Sequence, residues 1–244
     1  MSRSAAATLL AAVLLLASQA SGAQGSTPAA LEAQPLRAGL HVVRGAGCNV
    51  VVWTGSDGAL VVDSGNAAEV PQLLEAIERV AAGGVRLVVN THWHPDHVGG
   101  NVALRREGAT LVAHEETRTR MNARQTIAIH ELEVPAAPRE ALPVVTFDDA
   151  LLLHLNGDRL ALLHVPGAHT DGELIAWWQS ANVVHAGDVY RADGYPFIDT
   201  ANGGSLAGLV AAIETVLSRT DARTVIVPGH GPVSNRAELS VYRD

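Results

Sequence analysis

Asn90-Thr91-His92-Trp93-His94-Pro95-Asp96-His97 directly follows an apolar, β-branched run at 86–90 and brings four potential metal ligands into six residues. The density matters because it occurs where a strand runs out into a loop. His92 and His94 are two apart, so in extended chain their side chains share a side. Pro95 starts a turn that lets Asp96 and His97 face a neighbouring position. One loop can therefore feed two ions, and nitrogen-rich ligation of this kind suits zinc.

Further ligand types recur at later strand ends. His169 follows an apolar run at 160–165 through Pro166-Gly167-Ala168, Asp188 follows 183–186 through Gly187, and His230 follows 224–227 through Pro228-Gly229. Each lies in a Gly-bearing turn at the end of a strand, where layered folds build their sites. Other strands are predicted at 40–43, 49–54, 59–62, 110–113, 151–155 and 174–178, and helices at 67–82, 101–106, 115–128 and 205–218. Gly55-Ser56-Asp57-Gly58 and Asn156-Gly157-Asp158 read as hairpin turns. The segment 133–143, with three prolines, reads as a loop and a mobile flap. Hairpins mixed with helices in both halves predict an α/β fold of sheets packed together with helices outside.

The 244 residues, 48% of them hydrophobic, suit one domain, expected over 37–244. Before it, Arg3, an apolar run at 5–17 and the small residues Ser21-Gly22-Ala23 have the layout of a secretory signal peptide at 1–23. Residues 24–36 read as a flexible leader. The expected location is periplasmic or secreted, with no membrane partner once the signal is removed. Removal takes away Arg3 and no acid, so the formal charge moves from −8 to −9. That balance argues against a nucleic-acid partner, which asks for a basic face. The sequence contains no Lys, which excludes Schiff-base lysines, the phosphate-loop lysine and the Ser-x-x-Lys nucleophile. Gly-x-Ser-x-Gly is likewise missing. Cys48, the single cysteine, opens the run Cys48-Asn49-Val50-Val51-Val52 and is expected to be a buried thiol.

Taken in order, Val61-Val62-Asp63-Ser64-Gly65, His92-Trp93-His94-Pro95-Asp96-His97, Gly167-Ala168-His169-Thr170, Gly187-Asp188 and Gly229-His230-Gly231 resemble the motifs of the metallo-β-lactamase superfamily. The resemblance spans nearly the whole of 37–244 and implies a four-layer αβ/βα sandwich with a dinuclear site along the edges of two facing sheets. It implies that His92, His94 and His169 bind one zinc ion, that Asp96, His97 and His230 bind a second, and that Asp188 bridges the two. Asp63 matches a buried family aspartate and is expected to orient the His92–His97 loop. The implied chemistry is attack by a metal-bridging hydroxide on a carbonyl carbon, with Asp96 orienting it. Ester, lactone, thioester and lactam substrates, all small molecules, fit that scheme.

Around the ligands, Tyr190 is expected to reach the pocket and stabilise an oxyanion, and Arg191 to bind a substrate carboxylate. The segment 194–198 is expected to form an apolar wall, and His114 or His130 to line the pocket mouth. A genuine β-lactamase is the alternative that Arg191 and export favour. Asp188 stands where many enzymes of one lactamase subclass carry cysteine, which points instead toward glyoxalase II and lactonase relatives. A mononuclear-iron sulfur dioxygenase shares the fold but uses fewer ligands. A non-catalytic binding protein would not need the full set.

Overall fold

Alternation along the strands sorts side chains between separate cores, and a computed structural model, which describes residues 30–244, shows where each set goes. The expected signal peptide at 1–23 lies outside the described residues, as does the leader up to residue 29. Chain order runs β1 (Ala33–Pro35), β2 (Leu40–Val43), β3 (Val50–Trp53), β4 (Ala59–Val62), α1 (Val70–Val80), β5 (Val85–Val89), α2 (Pro95–Val98), α3 (Asn101–Arg106), β6 (Thr110–His114) and α4 (Glu115–Met121). A small hairpin, β7 (Gln125–Ile127) with β8 (Leu132–Val134), precedes β9 (Val145–Phe147). The second half holds β10 (Ala150–Leu155), β11 (Asp158–His164), β12 (Leu174–Trp178), β13 (Val183–His185), α5 (Leu206–Arg219), β14 (Val225–Val227), β15 (Ser234–Asn235) and α6 (Arg236–Arg243).

Two mixed sheets result. The first has the order β1-β2-β3-β4-β5-β6-β9 and the second β10-β11-β12-β13-β14-β15. In β3, Val51 and Trp53 face the second sheet, while Val50 and Val52 face α1. This period of two is what a strand buried on both faces requires. The central core joins Val51, Trp53, Val62 and Val89 to Leu160, Leu162, Trp178 and Val227. Trp53 meets Trp178 edge-on with centroids 6.1 Å apart, a geometry that contributes about 0.5–1.5 kcal/mol beyond area burial. Leu73 and Ile77 of α1 cover the outer face of the first sheet, and Leu209, Ile213 and Val216 of α5 cover that of the second. The architecture is the four-layer αβ/βα sandwich.

Local chemistry explains most boundaries. Asn156 and Gly157 both have positive φ, 49° and 78°, as the tight turn between β10 and β11 demands. Ser205 caps α5 by accepting the Gly208 N–H at 3.0 Å. Four expectations are corrected. The stretch expected as leader already contains β1, paired antiparallel with β2, so order begins before residue 37. The helix expected over 67–82 is a 3-10 turn, Ala67–Glu69, followed by α1, with Pro71 in its first turn. The helix expected over 115–128 stops at Met121, because Gln125–Ile127 turns out to pair with Leu132–Val134. The segment 133–143 is not all loop, since it contains the end of β8 and the 3-10 turn Arg139–Ala141. Among the described residues no helix is long and apolar enough to cross a membrane.

Candidate metal centre

The two sheets place their strand ends side by side, and the groups expected as ligands converge there. The loop after β5 supplies His92, His94, Asp96 and His97 from the first sheet. The turns after β11, β13 and β14 supply His169, Asp188 and His230 from the second. His92, His94 and His169 form one group whose ligand atoms lie within 4.8 Å of each other, and Asp96, His97 and His230 form another. Asp188 lies between them. Its Oδ1 is 3.3 Å from both His97 Nε2 and His230 Nε2, and its Oδ2 is 3.7 Å from His169 Nε2.

Hydrogen-bond partners fix which nitrogen of each ring is bare. His169 Nδ1 donates to the Phe197 carbonyl at 2.8 Å, leaving Nε2 without a proton in the neutral ring. His94 Nε2 donates to Asp199 at 3.0 Å, leaving Nδ1 bare. Those two bare nitrogens face each other at 2.9 Å, an unfavourable meeting of lone pairs unless a cation or proton sits between them. His97 Nδ1 donates to Asp63 at 2.8 Å and turns Nε2 toward His230 Nε2 at 3.4 Å. His92 Nε2 and Asp188 Oδ1 are buried without a hydrogen-bond partner. Each such orphan costs about 1–3 kcal/mol; an ion at the first position would satisfy His92 Nε2 and one at the second Asp188 Oδ1. The donor set therefore fits two metal positions, one rich in nitrogen and one of mixed nitrogen and oxygen.

Charge separates the two groups. Burial, followed by the neighbouring His97, His169 and His94, holds the His92 pKa well below the usual imidazole range. Burial also lowers His169, to about 4, against the opposing pull of Asp188. Burial would lower His97 too, but Cys48, Asp63, Asp96 and Asp188 outweigh it and hold the ring well above its ordinary value. Burial would lower His230, but the carboxylates of Asp188 and Asp96, each 3.3 Å from its Nε2, raise it to about 9. Burial pushes both carboxylates up, yet His97 and His230 bring Asp96 down to about 2 and hold Asp188 well below the carboxylate range. His92 and His169 are thus held unprotonated and open to a metal, whereas His97 and His230 hold protons where a cation would be.

Supporting residues position the ligands. Asp63, at φ 63°, accepts the Thr91 N–H at 2.7 Å and the Thr91 hydroxyl at 2.9 Å as well as the His97 ring. Gly187 (φ 53°) and Gly229 are needed for space, since a Cβ on either would collide with Glu173 or Asp188. Glu173, buried beside Gly187, accepts the Asp188 N–H at 3.1 Å, and its carboxyl is pushed well up by burial and by Asp188. Asn49 donates to the carbonyls of Pro228 and Gly231 and so ties the His230 turn to β3. Glu173, Asp199 and Asn49 were not singled out in the sequence. The signal available for Glu173 was an acid opening the apolar run of β12.

The remaining expectations divide. Arg191 lines a cavity of about 290 Å³ with His94, Asp96, Asp188 and His230, and pairs with Asp193 at 3.2 Å. His130 and Phe197 line the same cavity, and Phe197 stacks on His94 with centroids 5.7 Å apart. Tyr190 is a correction: it is buried in the core under α5, and its hydroxyl pairs with Ser234 at 2.9 Å instead of reaching the pocket. The ring is held there by Tyr242, edge-on at 4.8 Å. His114 is also away from the site, where it caps α4 and stacks on His164. Cys48 is buried as expected. A groove of about 640 Å³ opens on the other side of His230, between Arg44 and Asp193.

Comparison with known proteins agrees with this geometry. The family model described as the metallo-beta-lactamase superfamily matches residues 43–231. A metallo-beta-lactamase type 2 of Bacteroides fragilis is 22% identical over 184 residues, covering 75% of this chain and 68% of the relative. A hydroxyacylglutathione hydrolase of Polaromonas sp. is 26% identical over 170 residues, covering 69% and 57%. Among solved structures, a metallo-beta-lactamase from Pontibacter korlensis superposes with TM-score 0.70 at 23% identity, covering 86% of this chain and 95% of that one.

Proposed function

The chain belongs to the metallo-β-lactamase superfamily and is a hydrolase of it, and on that premise we propose that it is an exported dinuclear zinc enzyme that cleaves a small carbonyl substrate. The observation that carries the reading is the placement of Asp188, whose two oxygens are turned to the two histidine groups at 3.3 and 3.7 Å. His92, His94 and His169 would hold one ion, Asp96, His97 and His230 the other, and Asp188 both. Bound there, zinc would lower the pKa of a water from 15.7 to about 7 and polarise the carbonyl.

The chain's own groups do the rest. Asp63, Asp199 and the Phe197 carbonyl fix ring orientation and tautomer, so that the bare nitrogens face inward without rearrangement. Asp96, a third exposed in the cavity and held ionised, is placed to accept a hydrogen bond from the attacking water and so orient it. Phe197 and Ile127 exclude water from one wall of the cavity. Arg191 offers a cation beside Asp188 for a carboxylate on the substrate, which is the observation favouring a β-lactam as the second reading.

Elemental analysis of the purified protein together with a hydrolase panel (ester, lactone, thioester, chromogenic cephalosporin) tests the proposal. Two zinc ions per chain and turnover of at least one substrate are expected. His94→Ala is expected to lose metal and nearly all activity. One iron with oxygen uptake, or full activity in His94→Ala, would overturn the assignment.

A further inference from the structure

Beside the cavity that contains Asp96 and Asp188 lies another, of about 350 Å³, with a different character. Its lining is dominated by Trp93, Val98, Val102, Met121, Val134 and Ala137. The two adjoin, for Asn66 and Pro95 line both. Their walls also belong to one cluster: Ile127 and Phe197 of the first cavity pack with Trp93, Met121, Val102 and Ala137 of the second. A mostly apolar concavity with a few polar groups, adjoining a reaction centre, has the character of a small-molecule site. Trp93, 2% exposed, anchors that shared wall in the core.

Resting on the hydrolase reading of the adjoining site, we propose that this cavity receives an apolar acyl arm of the substrate, so that the preferred substrate is a carbonyl compound with a medium-length aliphatic chain. The chain would leave the reacting carbonyl, cross Pro95 and Asn66, and lie between α3 and the segment after β8. At roughly 30 Å³ for a small group in a condensed phase, the cavity has room for about ten methylene-sized groups. Arg120 at the rim does not demand an anionic chain end, because its guanidinium already pairs with Asp171.

The test is a series of nitrophenyl esters from acetyl to decanoyl, measured on the purified holoenzyme and on Ala137→Phe and Val102→Phe, which fill the cavity from opposite walls. Octanol binding, followed by calorimetry against ethanol as control, gives a readout independent of turnover. In the native enzyme kcat/KM is expected to rise at least tenfold from acetyl to octanoyl, and in either variant that ratio is expected to collapse toward unity with loss of octanol binding. A flat chain-length profile, or a ratio and octanol affinity untouched by both variants, overturns the proposal. Octanol binding that both variants abolish in a protein that turns over no ester, lactone, thioester or cephalosporin would uphold the cavity while refuting the hydrolase reading.

Discussion

Replacing Asp63 by Asn isolates one charge at the base of the site. The backbone there has φ 63°, a conformation that Asn tolerates and β-branched or bulky residues do not, so strain is not introduced. Asp63 accepts three hydrogen bonds, two from Thr91 and one from His97 Nδ1. An amide keeps one oxygen, which stays with the Thr91 N–H at 2.7 Å. Its NH2 group then faces the Thr91 hydroxyl, which can accept, and His97 Nδ1, which can accept only by moving its proton to Nε2. That nitrogen is the one turned toward His230 and Asp188. The substitution therefore puts a proton where a metal would bind. Partners of this kind alter metal affinity by about 10–100-fold, or about 1.4–2.7 kcal/mol, and the tautomer change argues for the upper end. Stability of the metal-free fold is expected to fall by about 3 kcal/mol or more, since the buried, protonated His97 ring loses the carboxylate 2.8 Å away. Competition of the variant against a chromophoric zinc chelator measures the affinity, and urea unfolding without metal measures the fold. Native affinity for both zinc equivalents in a folded Asp63→Asn protein would refute the reasoning.

Three further outcomes are expected. Because His230 is raised to about 9 and His97 stands above its ordinary value, zinc added near neutral pH must displace protons; calorimetry in buffers of different ionisation heat should show more than one released per chain, and zero release would remove both from the ligand set. His114 has its pKa lowered by burial and by the stacked His164, so the unfolded chain binds more protons just below its value of about 6.5. Its contribution to stability is then present above that pH and lost as pH falls through the folded value; urea midpoints should drop more on acidification in the native protein than in His114→Asn, and equal drops would contradict this. Tyr190→Phe removes only the bond to Ser234 and is expected to cost about 1 kcal/mol of stability with kcat/KM essentially unchanged, whereas a large kinetic loss would return the hydroxyl to the site.

What could be read from the sequence was whatever chemistry writes locally. Strand ends marked by Gly and followed by His or Asp were visible at 167–169, 187–188 and 229–230 because the turn and the ligand are adjacent in the chain. The strands at 40–43, 59–62 and 174–178 match β2, β4 and β12 to the residue, since apolar runs bounded by turn formers leave little choice. The misses arise from long-range pairing or from short 3-10 turns that periodicity does not mark. Helical periodicity from 115 to 128 was overridden where a hairpin partner at 132–134 claimed the backbone. Tyr190 was close to Asp188 in the chain, but the 3-10 turn Gly187–Val189 sends the two side chains to different places, one to the cavity and one under α5. Asp199, eleven residues past Asp188 and thirty past His169, becomes a partner of His94 only through the loop that also carries Phe197.

The distribution of ligands between the sheets says what holds the site together. Neither sheet carries a complete set for either metal position: each group of three draws on the loop after β5 and on a turn of the second sheet. The ligand atoms can converge only if the sheets keep their relative position, and the central core of Val51, Trp53, Leu162 and Trp178 is what sets it. The edge adds direct clasps. Asn49 N–H donates to the Gly229 carbonyl at 2.8 Å, and Leu174 N–H donates to the Thr91 carbonyl at 2.9 Å. These bonds tie the His230 turn to the start of β3 and the start of β12 to the base of the histidine loop. Side-chain positions at the site are thereby fixed from the backbone outward, before any ion arrives. The repulsions left inside, facing lone pairs on His94 and His169 and an unpaired oxygen on Asp188, are the part of the fold's stability that cation binding would restore.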